Sequence, residues 1–444
     1  MYTIDSLIAE LERTHARLLS LVLDLADAQR AVPWHPGINP PVWELGHAAF
    51  FYEVFVLRRL DGIAPLMPGH DPIWDSFDID HRDRWTPGVV PDLDRTLKYA
   101  DEVISRVKAR ILDRPLTDEA LYLYRYAIFH EQMHIESQIW LRQTLGYPAP
   151  FGVRPRMPET VVQPVEDVQV PAGTWYFGMP ADSGDDARDG FAFDAEKPGF
   201  SRELPGFAIS PRLVTQGEFL AFVEDGGYTR EDLWSFGGRK WLKALRAQDP
   251  DPVRPDEPAQ GPIYWRQEGG RWYRRWFDQW LPLNPAQPML HVSFWEAEAW
   301  CNWAGRRLPT EFEWEAAALA NRPEATHRRY PWGHTPAPGR ADLGSMTLGT
   351  ASVDDFGEGD SPLGLRQALG TVWEWTASQF LPYDGFRTDM YPFMSTLQFG
   401  YHKTTKGGSC ATEAPLIRGT YRQAYLPQRR DVFTGFRTCA KEDT

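Results

Sequence analysis

Two histidines stand four residues apart in a segment whose residue types and spacing could bind a metal ion. The segment AIFHEQMHIES (127–137) contains His130 and His134, with Glu131 between them. If the segment is helical, residues four apart lie on one face, so the two imidazoles can reach one ion. Tyr126 lies one turn earlier on the same face. Two histidines alone are also compatible with ordinary structural roles, so a third ligand is needed.

A third candidate ligand is His47, in the apolar segment PPVWELGHAAFF. A histidine inside an apolar helix needs a polar partner or a metal ion to offset its burial. Helical bundles build metal sites from inward-facing side chains of different helices. We therefore expect His47, His130 and His134 to bind one ion. Zinc with three histidines generates a hydroxide for hydrolysis, whereas ferrous iron binds substrate atoms and dioxygen together; the spacing leaves both open.

The letters HEQMH also match the HExxH pattern of zinc peptidases, in which the glutamate is the general base. That pattern requires a third ligand further along the chain. The extended pattern has its third histidine at the position that is Trp140 here, and the other arrangement needs a glutamate where this chain has a proline-rich segment. The peptidase interpretation is therefore disfavoured.

Four amphipathic segments must position these histidines. They cover residues 4–26, 42–60, 92–112 and 117–145. Apolar residues recur at helical spacing in each, and four long helices joined by loops indicate a four-helix bundle. The connection 61–91 is longer than a compact bundle needs, and loops of that length are often functional.

The chain changes in character after residue 150. Residues 151–167 are rich in proline and predict a linker. From residue 168 onward, short strand candidates alternate with turns rich in Gly and Pro, and one clear helix covers 293–305. We therefore predict a multidomain protein: a helical bundle at 1–150 and a loop-rich α+β domain at 168–444.

The composition restricts the partners. Over 444 residues the net charge is −14, which argues against nucleic acid. No apolar run approaches the ~20 residues that span a bilayer, and acidic residues interrupt the N-terminal segment, so we expect no membrane association and no signal peptide. The 3 scattered cysteines fit a reducing cytoplasm. The 19 tryptophans suit small-ligand recognition.

Motifs along nearly the whole chain resemble a known family. PPVWELGHAAFFYEVFVL and HEQMHIE resemble the DinB-like bundle of the ergothioneine and ovothiol sulfoxide synthases. HVSFWEAEAWCNWAGRRLPTEFEWEAAA, YPWG, LGTVWEWTASQFLPYDGF, KGGSCAT and RRDVFTGFRTC are similar to the C-type-lectin-like domain shared with formylglycine-generating enzymes. The resemblance implies an N-terminal DinB-like four-helix bundle and a C-terminal α+β C-type-lectin-like domain.

The resemblance also implies an iron-dependent oxidoreductase. Mononuclear non-haem Fe(II), held by His47, His130 and His134, would use O2 to join a sulfur or selenium nucleophile to the imidazole ring of hercynine, a histidine betaine. A tyrosine would donate a proton or an electron during this reaction. Tyr383, in LPYDGF, matches the family's local pattern, and Tyr126 is a second candidate from its helix position.

The chain departs from the ergothioneine enzymes at substrate-binding positions. They have Gln immediately before the last metal histidine, where this chain has Met133; their Arg-Asn-Trp segment is here YRQAYLPQRR; and their γ-glutamylcysteine-binding loop is here HRDRW. The iron site is intact, so these changes favour a selenosugar donor, as in the related selenoneine synthase, over a thiol. The candidate substrate-binding residues are Met133, Trp373, Gln423, Tyr425, Arg82, Arg84 and Arg429.

Four alternatives stay open. The first is an ergothioneine-type sulfoxide synthase that uses a cysteine or γ-glutamylcysteine thiol. The second is a formylglycine-generating activity, which needs a reactive cysteine pair, for which Cys410 and Cys439 are the candidates. The third is a zinc- or nickel-dependent thiol transferase at the same histidines, which would not need O2. The fourth is a binding module without chemistry, which the three-histidine set disfavours.

Overall fold

The protein divides into two compact units in the computed structural model, which describes residues 2–157, 161–181, 190–247 and 261–441. The first unit comprises the described residues up to Arg142 together with 190–192, and the remaining described residues form the second. The predicted domain limits, 1–150 and 168–444 with a linker at 151–167, stay predictions. No helix in the described ranges is long and apolar enough to cross a membrane.

The first unit is helical, and the predicted bundle is confirmed. A π-helical segment, Glu53–Arg58, follows the second long helix, and a 3-10 helix covers His81–Trp85. The α-helices are α1 (Ile4–Leu23), α2 (Asp27–Arg30), α3 (Pro41–Tyr52), α4 (Arg59–Asp61), α5 (Asp71–Trp74), α6 (Leu93–Asp113) and α7 (Asp118–Leu145). The predicted segment 42–60 is therefore three consecutive helical pieces.

Local sequence signals explain where the long helices begin. The Thr3 hydroxyl accepts a hydrogen bond from the Ser6 amide at the start of α1, and the Asp92 carboxylate accepts one from the Arg95 amide at the start of α6. Each cap satisfies an amide that has no partner within its helix. A proline at the first position of α3, Pro41, has no such amide to satisfy.

The second unit is the predicted α+β domain. Its helices are α8 (Gln216–Glu224), α9 (Phe236–Ala247), α10 (Phe294–Trp303) and α11 (Glu311–Leu319). Its strands are β1 (Val168–Val170), β2 (Gly173–Phe177), β3 (Phe200–Leu204), β4 (Phe207–Ile209), β5 (Trp265–Glu268), β6 (Arg271–Trp276), β7 (Gln279–Pro282), β8 (Arg306–Arg307), β9 (Trp373–Gln379), β10 (Lys403–Lys406), β11 (Gln423–Tyr425), β12 (Thr434–Gly435) and β13 (Cys439–Ala440).

Short, mostly antiparallel strands form the sheets of the second unit. Two four-stranded sheets have the orders β1-β4-β13-β8 and β11-β10-β9-β12, and β5-β6-β7 and β2-β3 form smaller ones. In the second sheet β12 runs parallel to β9, with Thr434 opposite Trp373. The helices α8, α10 and α11 each begin at a capping box of the form Ser/Thr-x-x-Glu, which fixes their first turns among the loops.

Charged pairs are buried in the core of the second unit. Glu315 lies 2.8 Å from the Lys406 ammonium, and Glu374 lies 2.6 Å from the Arg437 guanidinium. All four side chains are at most 3% exposed. Because an unpaired buried charge is costly, these pairs tie strands and helices of the domain to one another.

Candidate metal centre

Helices α3 and α7 bring together the three predicted metal ligands. His47 comes from α3, and His130 and His134 come from successive turns of α7. Each histidine contributes one ring nitrogen, and these three nitrogens all lie within 4.8 Å of one another. The Nε2 atoms of His130 and His134 are 3.3 Å apart. Within the described ranges, no other cluster of His, Cys, Asp and Glu brings three such atoms together.

Acceptor groups fix the orientation of two of the three rings. His47 Nδ1 lies 2.6 Å from the main-chain oxygen of Trp74, and His134 Nδ1 lies 2.8 Å from the Glu44 carboxylate. Both oxygens can only accept, so each Nδ1 carries a proton and donates it. Nε2 of each neutral ring then keeps its lone pair, which is the usual arrangement of histidines that bind metal ions.

Burial keeps the imidazoles of His47 and His130 neutral. Burial lowers the pKa of His47 to about 3. The positive charge that His134 can carry also lowers this pKa, by more than the hydrogen bond to the Trp74 carbonyl raises it. Burial, followed by the charges of His134 and His47, lowers the pKa of His130 well below its ordinary value. Neutral imidazole is the form that binds a metal ion, and a cation among the three nitrogens would satisfy their converging lone pairs.

A hydrogen-bond network supports His134 from behind. Glu44 is fully buried and also accepts from Ser137 Oγ at 2.6 Å and Asn39 Nδ2 at 2.9 Å. Burial alone would raise the pKa of this carboxyl, but His134 and the hydrogen bonds outweigh it, and the pKa is lowered. Arg84 Nη1 donates to Asn39 Oδ1 at 2.6 Å. Arg84, a predicted substrate residue, thus belongs to this network.

Aromatic rings cover the other sides of the imidazoles. Trp43 stacks on His47 at 4.7 Å between centroids, and Phe51 stacks on His130 at 3.9 Å. The ring of Tyr126, which is 0% exposed, stacks on Phe51 at 5.7 Å. Tyr126 therefore packs next to the centre through Phe51. These rings exclude water, which strengthens electrostatic interactions at the site.

Glu131 makes its contacts away from the three imidazoles. Its carboxylate lies 2.8 Å from His15 Nδ1 and accepts a hydrogen bond from the Tyr52 hydroxyl at 2.8 Å. The side chain is 1% exposed. Both of its oxygens are thus engaged in the packing of α7 against α1 and α3, and the peptidase role of the HExxH glutamate is not supported.

Two further predicted residues of the first unit have different surroundings. Met133 is partly exposed on α7, next to His134 in sequence. The Arg82 guanidinium lies over the ring of Trp34 at 4.1 Å. The bonds described above do not connect either side chain to the three histidines.

Three predicted substrate residues of the second unit lie next to one another. Gln423 Nε2 donates to the Tyr425 hydroxyl at 3.4 Å, and the Arg429 guanidinium lies 5.9 Å from the Tyr425 ring. Arg429 also donates two hydrogen bonds of 2.7 Å to Asp431. Trp373 is 1% exposed and packs edge-on against Tyr421, as a core residue does.

Tyr383, the predicted catalytic tyrosine, is buried in the second unit. Its ring lies 4.1 Å from the Arg422 guanidinium, and its centroid is 4.9 Å from that of Phe200. The hydroxyl has no hydrogen-bond partner among the described residues. Burial raises its pKa well above the ordinary value even though the charge of Arg422 opposes this. The hydroxyl therefore stays protonated and has a proton to donate.

The cysteines do not form a reactive pair. Cys301, Cys410 and Cys439 are all buried, and no disulfide joins them. Burial raises the pKa of Cys439 to about 12 and also raises that of Cys301. A thiol with a raised pKa is a poor nucleophile, because the thiolate is the reactive form. This chemistry disfavours a formylglycine-generating activity.

The sequence analysis missed several groups that surround the histidines. Glu44 could have been found, because it lies one turn before His47 on the same helix. The main-chain oxygen of Trp74 carries no sequence signal, and neither does the stacking of Phe51 on His130.

Both halves of the chain match known domain families. The sulfatase-modifying factor enzyme 1-like domain matches residues 154–442, and the DinB superfamily matches residues 10–137. Among solved structures, PvdO from Pseudomonas aeruginosa aligns with a TM-score of 0.40 and 19% identity, covering 62% of this chain and 94% of that one. That likeness is too weak to support a functional conclusion.

Relatives that span the whole chain share one name. The hercynine oxygenase of Mycobacterium tuberculosis is 34% identical over 98% of both chains, and that of Mycolicibacterium smegmatis is 31% identical over 98% of both. The formylglycine-generating enzyme of Thermomonospora curvata is 30% identical, over 65% of this chain and 97% of its own. The match to the hercynine oxygenases thus includes the DinB-like unit with its three histidines.

Proposed function

The chain belongs to the family of DinB-plus-sulfatase-modifying-factor-like proteins that includes the hercynine oxygenases, and on this premise we propose that it is an iron(II)-dependent oxygenase acting on hercynine. It joins a selenium or sulfur donor to the imidazole ring of hercynine. For a donor R–XH, where X is S or Se, the ring C–H and the X–H bonds break, a C–X bond forms and one oxygen atom is added to X. One O2 is consumed and one water is released, so no external reductant is needed.

The convergence of three imidazoles carries this proposal. His47, His130 and His134 bring no negative charge, so a bound divalent ion would keep its full charge and open coordination positions. Iron(II) in such a site would hold hercynine, the soft anionic donor and O2 together, which turns a three-body reaction into an intramolecular one. Zinc and iron both fit three histidines, and the O2 requirement of the reaction selects iron.

The chain's own groups orient the ligands and supply a proton. The Trp74 carbonyl and the Glu44 carboxylate hold the protonated Nδ1 atoms, so that Nε2 of His47 and of His134 stays available. We assign the proton donor to Tyr383, whose buried hydroxyl is protonated and has no other described acceptor for its proton. Tyr126, stacked beside the centre on Phe51, is the second candidate.

Substrate selection is assigned to the positions at which the chain differs from the ergothioneine enzymes. Met133 would offer selenium or sulfur a soft, apolar surface beside the last ligand. Gln423, Tyr425 and Arg429 form one group, of which Arg429 is already paired with Asp431. Arg82, Arg84 and Trp373 are the remaining candidates. Arg84 is hydrogen-bonded to Asn39 and Trp373 is buried, so we assign these two residues to the support of the site. We propose a selenosugar as donor, with cysteine or γ-glutamylcysteine as the alternative.

The test is a reaction of the anaerobically purified protein. Loaded with Fe(II), it receives hercynine with a selenosugar, cysteine or γ-glutamylcysteine, and O2 is then admitted. Mass spectrometry should detect a carbon–selenium or carbon–sulfur adduct, and an oxygen electrode should record equimolar O2 uptake. His130→Ala should abolish the product, whereas His334→Ala, at an exposed position of the second unit, should not.

Each alternative has its own outcome in this experiment. An adduct formed only from a thiol assigns the chain to the sulfoxide synthase type. An adduct formed with zinc in the absence of O2 assigns it to the thiol transferases and contradicts the oxygenase proposal. No adduct from any donor, with iron bound and O2 present, contradicts the proposed reaction altogether.

A further inference from the structure

The π-helical segment after α3 aligns two charged side chains. Glu53 and Arg58 are five residues apart, which in an α-helix would separate them by about 140° around the axis. A π-helix instead bonds residue i to residue i+5 and brings such residues closer to one face of the helix. Arg58 Nε and Nη2 accordingly donate to Glu53 Oε1 at 2.8 and 2.6 Å. The segment makes possible an ion pair that a regular helix would not.

This pair fastens the long connection between α4 and α6. Arg58 Nη1 and Nη2 donate to the two carboxylate oxygens of Asp71 at 2.5 and 2.9 Å. Glu53, which is 0% exposed, also accepts from the Leu66 amide at 2.8 Å and from the Tyr99 hydroxyl at 2.5 Å. Glu53, Arg58 and Asp71 are called the clamp below. The clamp holds the connection at Leu66 and at Asp71.

Asp71 is the first residue of the four-residue helix α5, whose last residue is Trp74. The oxygen of Trp74 is the acceptor for His47 Nδ1. The Trp74 indole is 1% exposed and lies against Gly46, where an added Cβ would stand 2.3 Å from the ring. It is also parallel to the ring of Tyr99, with centroids 6.2 Å apart. One helical turn thus separates the clamp from the group that orients His47.

We propose that the clamp is a positioning device for the metal centre, an inference that rests on the proposed metal-dependent function. Arg58 and Asp71 have no hydrogen bond to the three histidines. They hold α5 so that the Trp74 oxygen meets the Nδ1–H of His47 and leaves Nε2 free to bind the ion. Arg58 and Asp71 are therefore positioning residues.

The physical reason lies in the tautomers of a neutral imidazole. Without a fixed acceptor, the single proton of His47 can occupy either nitrogen, and the tautomer with the proton on Nε2 cannot bind metal through that atom. The acceptor is a main-chain oxygen, so no side-chain change at residue 74 removes it. The placement of α5 determines whether it is in reach, and the clamp holds that placement together with Trp43, whose Nε1 donates to the Ile73 oxygen at 2.8 Å.

The experiment compares Arg58→Gln and Asp71→Asn with the control Arg106→Gln, which breaks the exposed Arg106–Glu102 pair of α6 (2.6 Å). Anaerobic apoprotein is titrated with Co(II), which reports ligand geometry through its visible spectrum. We expect both clamp variants to bind Co(II) roughly 10- to 100-fold more weakly, the usual cost of losing an outer partner of a ligand histidine. Their spectra should change, and the hyperfine-shifted Nδ1–H of His47 should exchange faster with solvent. The control should match the wild type.

The outcomes separate the clamp from the proposed function. Failure of the wild type to bind Co(II) or Fe(II) contradicts the metal site, and with it the clamp. Wild-type binding combined with unchanged affinity, spectrum and proton exchange in both variants overturns the clamp alone. If a clamp variant does not fold, as seen by circular dichroism, Arg58→Lys takes its place, because it keeps the charge and gives up the paired donation to Asp71. Arg58→Lys should recover part of the affinity, as it keeps the charge.

Discussion

The buried charges of the second unit and the buried histidines of the first unit meet the same physical problem in two ways. In the second unit several buried carboxylates have a cation of the chain as their partner, as for Glu374 with Arg437 and Glu315 with Lys406. In the first unit, His47, His130 and His134 face one another with one nitrogen of each within 4.8 Å of the others. The ion pairs of the second unit need no further partner, whereas the three histidines need an added cation to act as ligands.

The difference separates groups that stabilise the fold from groups that bind a ligand. Nε2 of His130 and Nε2 of His134 lie 3.3 Å apart, and burial holds the pKa values of His47 and His130 below their ordinary range, so these two rings stay neutral. A cluster of three imidazoles is a ligand set that divalent metal ions take in proteins. It therefore indicates a site retained for binding, which the following variants test.

The largest expected effect is the loss of metal binding in His134→Ala. Removing one of three ligands should weaken Fe(II) or Co(II) binding by more than the roughly 10- to 100-fold cost of losing an outer hydrogen-bond partner. Titration calorimetry under argon measures this affinity. The free energy of unfolding of the apoprotein should also fall, because the buried Glu44 carboxylate loses the Nδ1–H of His134, and His334→Ala should behave as wild type. Tight metal binding by His134→Ala would show that the three histidines of the first unit are not a metal-ligand set.

The second unit should respond in the opposite way. Glu374→Ala leaves the Arg437 guanidinium buried without its carboxylate, so we expect a loss of about 3–5 kcal/mol in the free energy of unfolding. The double variant Glu374→Leu with Arg437→Met should recover most of this, since no buried charge remains. Urea unfolding of the apoproteins measures both. A double variant as unstable as the single one would show that the pair does more than neutralise charge.

The pH dependence of stability should reveal the neutral imidazoles. His47 has a pKa of about 3 in the folded chain against about 6.5 when unfolded, so between these values the unfolded chain binds the extra proton. Above pH 6.5 the full free energy of unfolding is therefore present. As the pH drops below 6.5 this free energy decreases, by about 2 kcal/mol at pH 5 for each such histidine.

The buried His291 of the second unit also has a pKa of about 3, because of burial and the neighbouring Arg274. It should add its own share to the loss of stability at acidic pH. Denaturation of the apoprotein from pH 7.5 to 5 measures the total, and His291→Gln isolates the share of the second unit. A flat profile would be inconsistent with neutral buried rings in either unit.

The smallest expected effect belongs to Glu44→Gln. A neutral amide oxygen accepts the Nδ1–H of His134 more weakly than a carboxylate does, so Co(II) affinity should fall about tenfold. Glu102→Gln, at an exposed position of α6, is the matched control. Equal affinity in both variants would show that the orientation of His134 depends on packing rather than on the charge of Glu44.

Much of the first unit followed from residue patterns. Helical periodicity predicted the bundle, and the spacing of His130 and His134 placed both rings on one face of α7. The segment 42–60 was predicted as one helix, but its end is π-helical from Glu53 to Arg58. Averaged periodicity cannot show a local change from i+4 to i+5 bonding, because that change is stabilised by partners outside the segment, such as Asp71 and Tyr99.

The second unit was harder to anticipate at the level of its residues. Its α+β character followed from the alternation of strand candidates and turn residues, and a helix was predicted at 293–305, where α10 begins after a capping box at Ser293. Trp373 was predicted to bind substrate, but it is 1% exposed in the core. Apolar ring surface serves a pocket and a core equally well, so the residue type does not distinguish them.

The sequence by itself determined which side chains could bind a metal ion, because helical spacing is a local property that any packing of α7 preserves. Only the tertiary structure decided which groups face them. Glu44 and Glu131 both lie within three residues of a histidine, yet Glu44 orients His134 whereas Glu131 contacts His15 and Tyr52. The acceptor for His47 is a main-chain oxygen twenty-seven residues away. Such partners are chosen by how helices pack, and every residue type carries the same backbone oxygen.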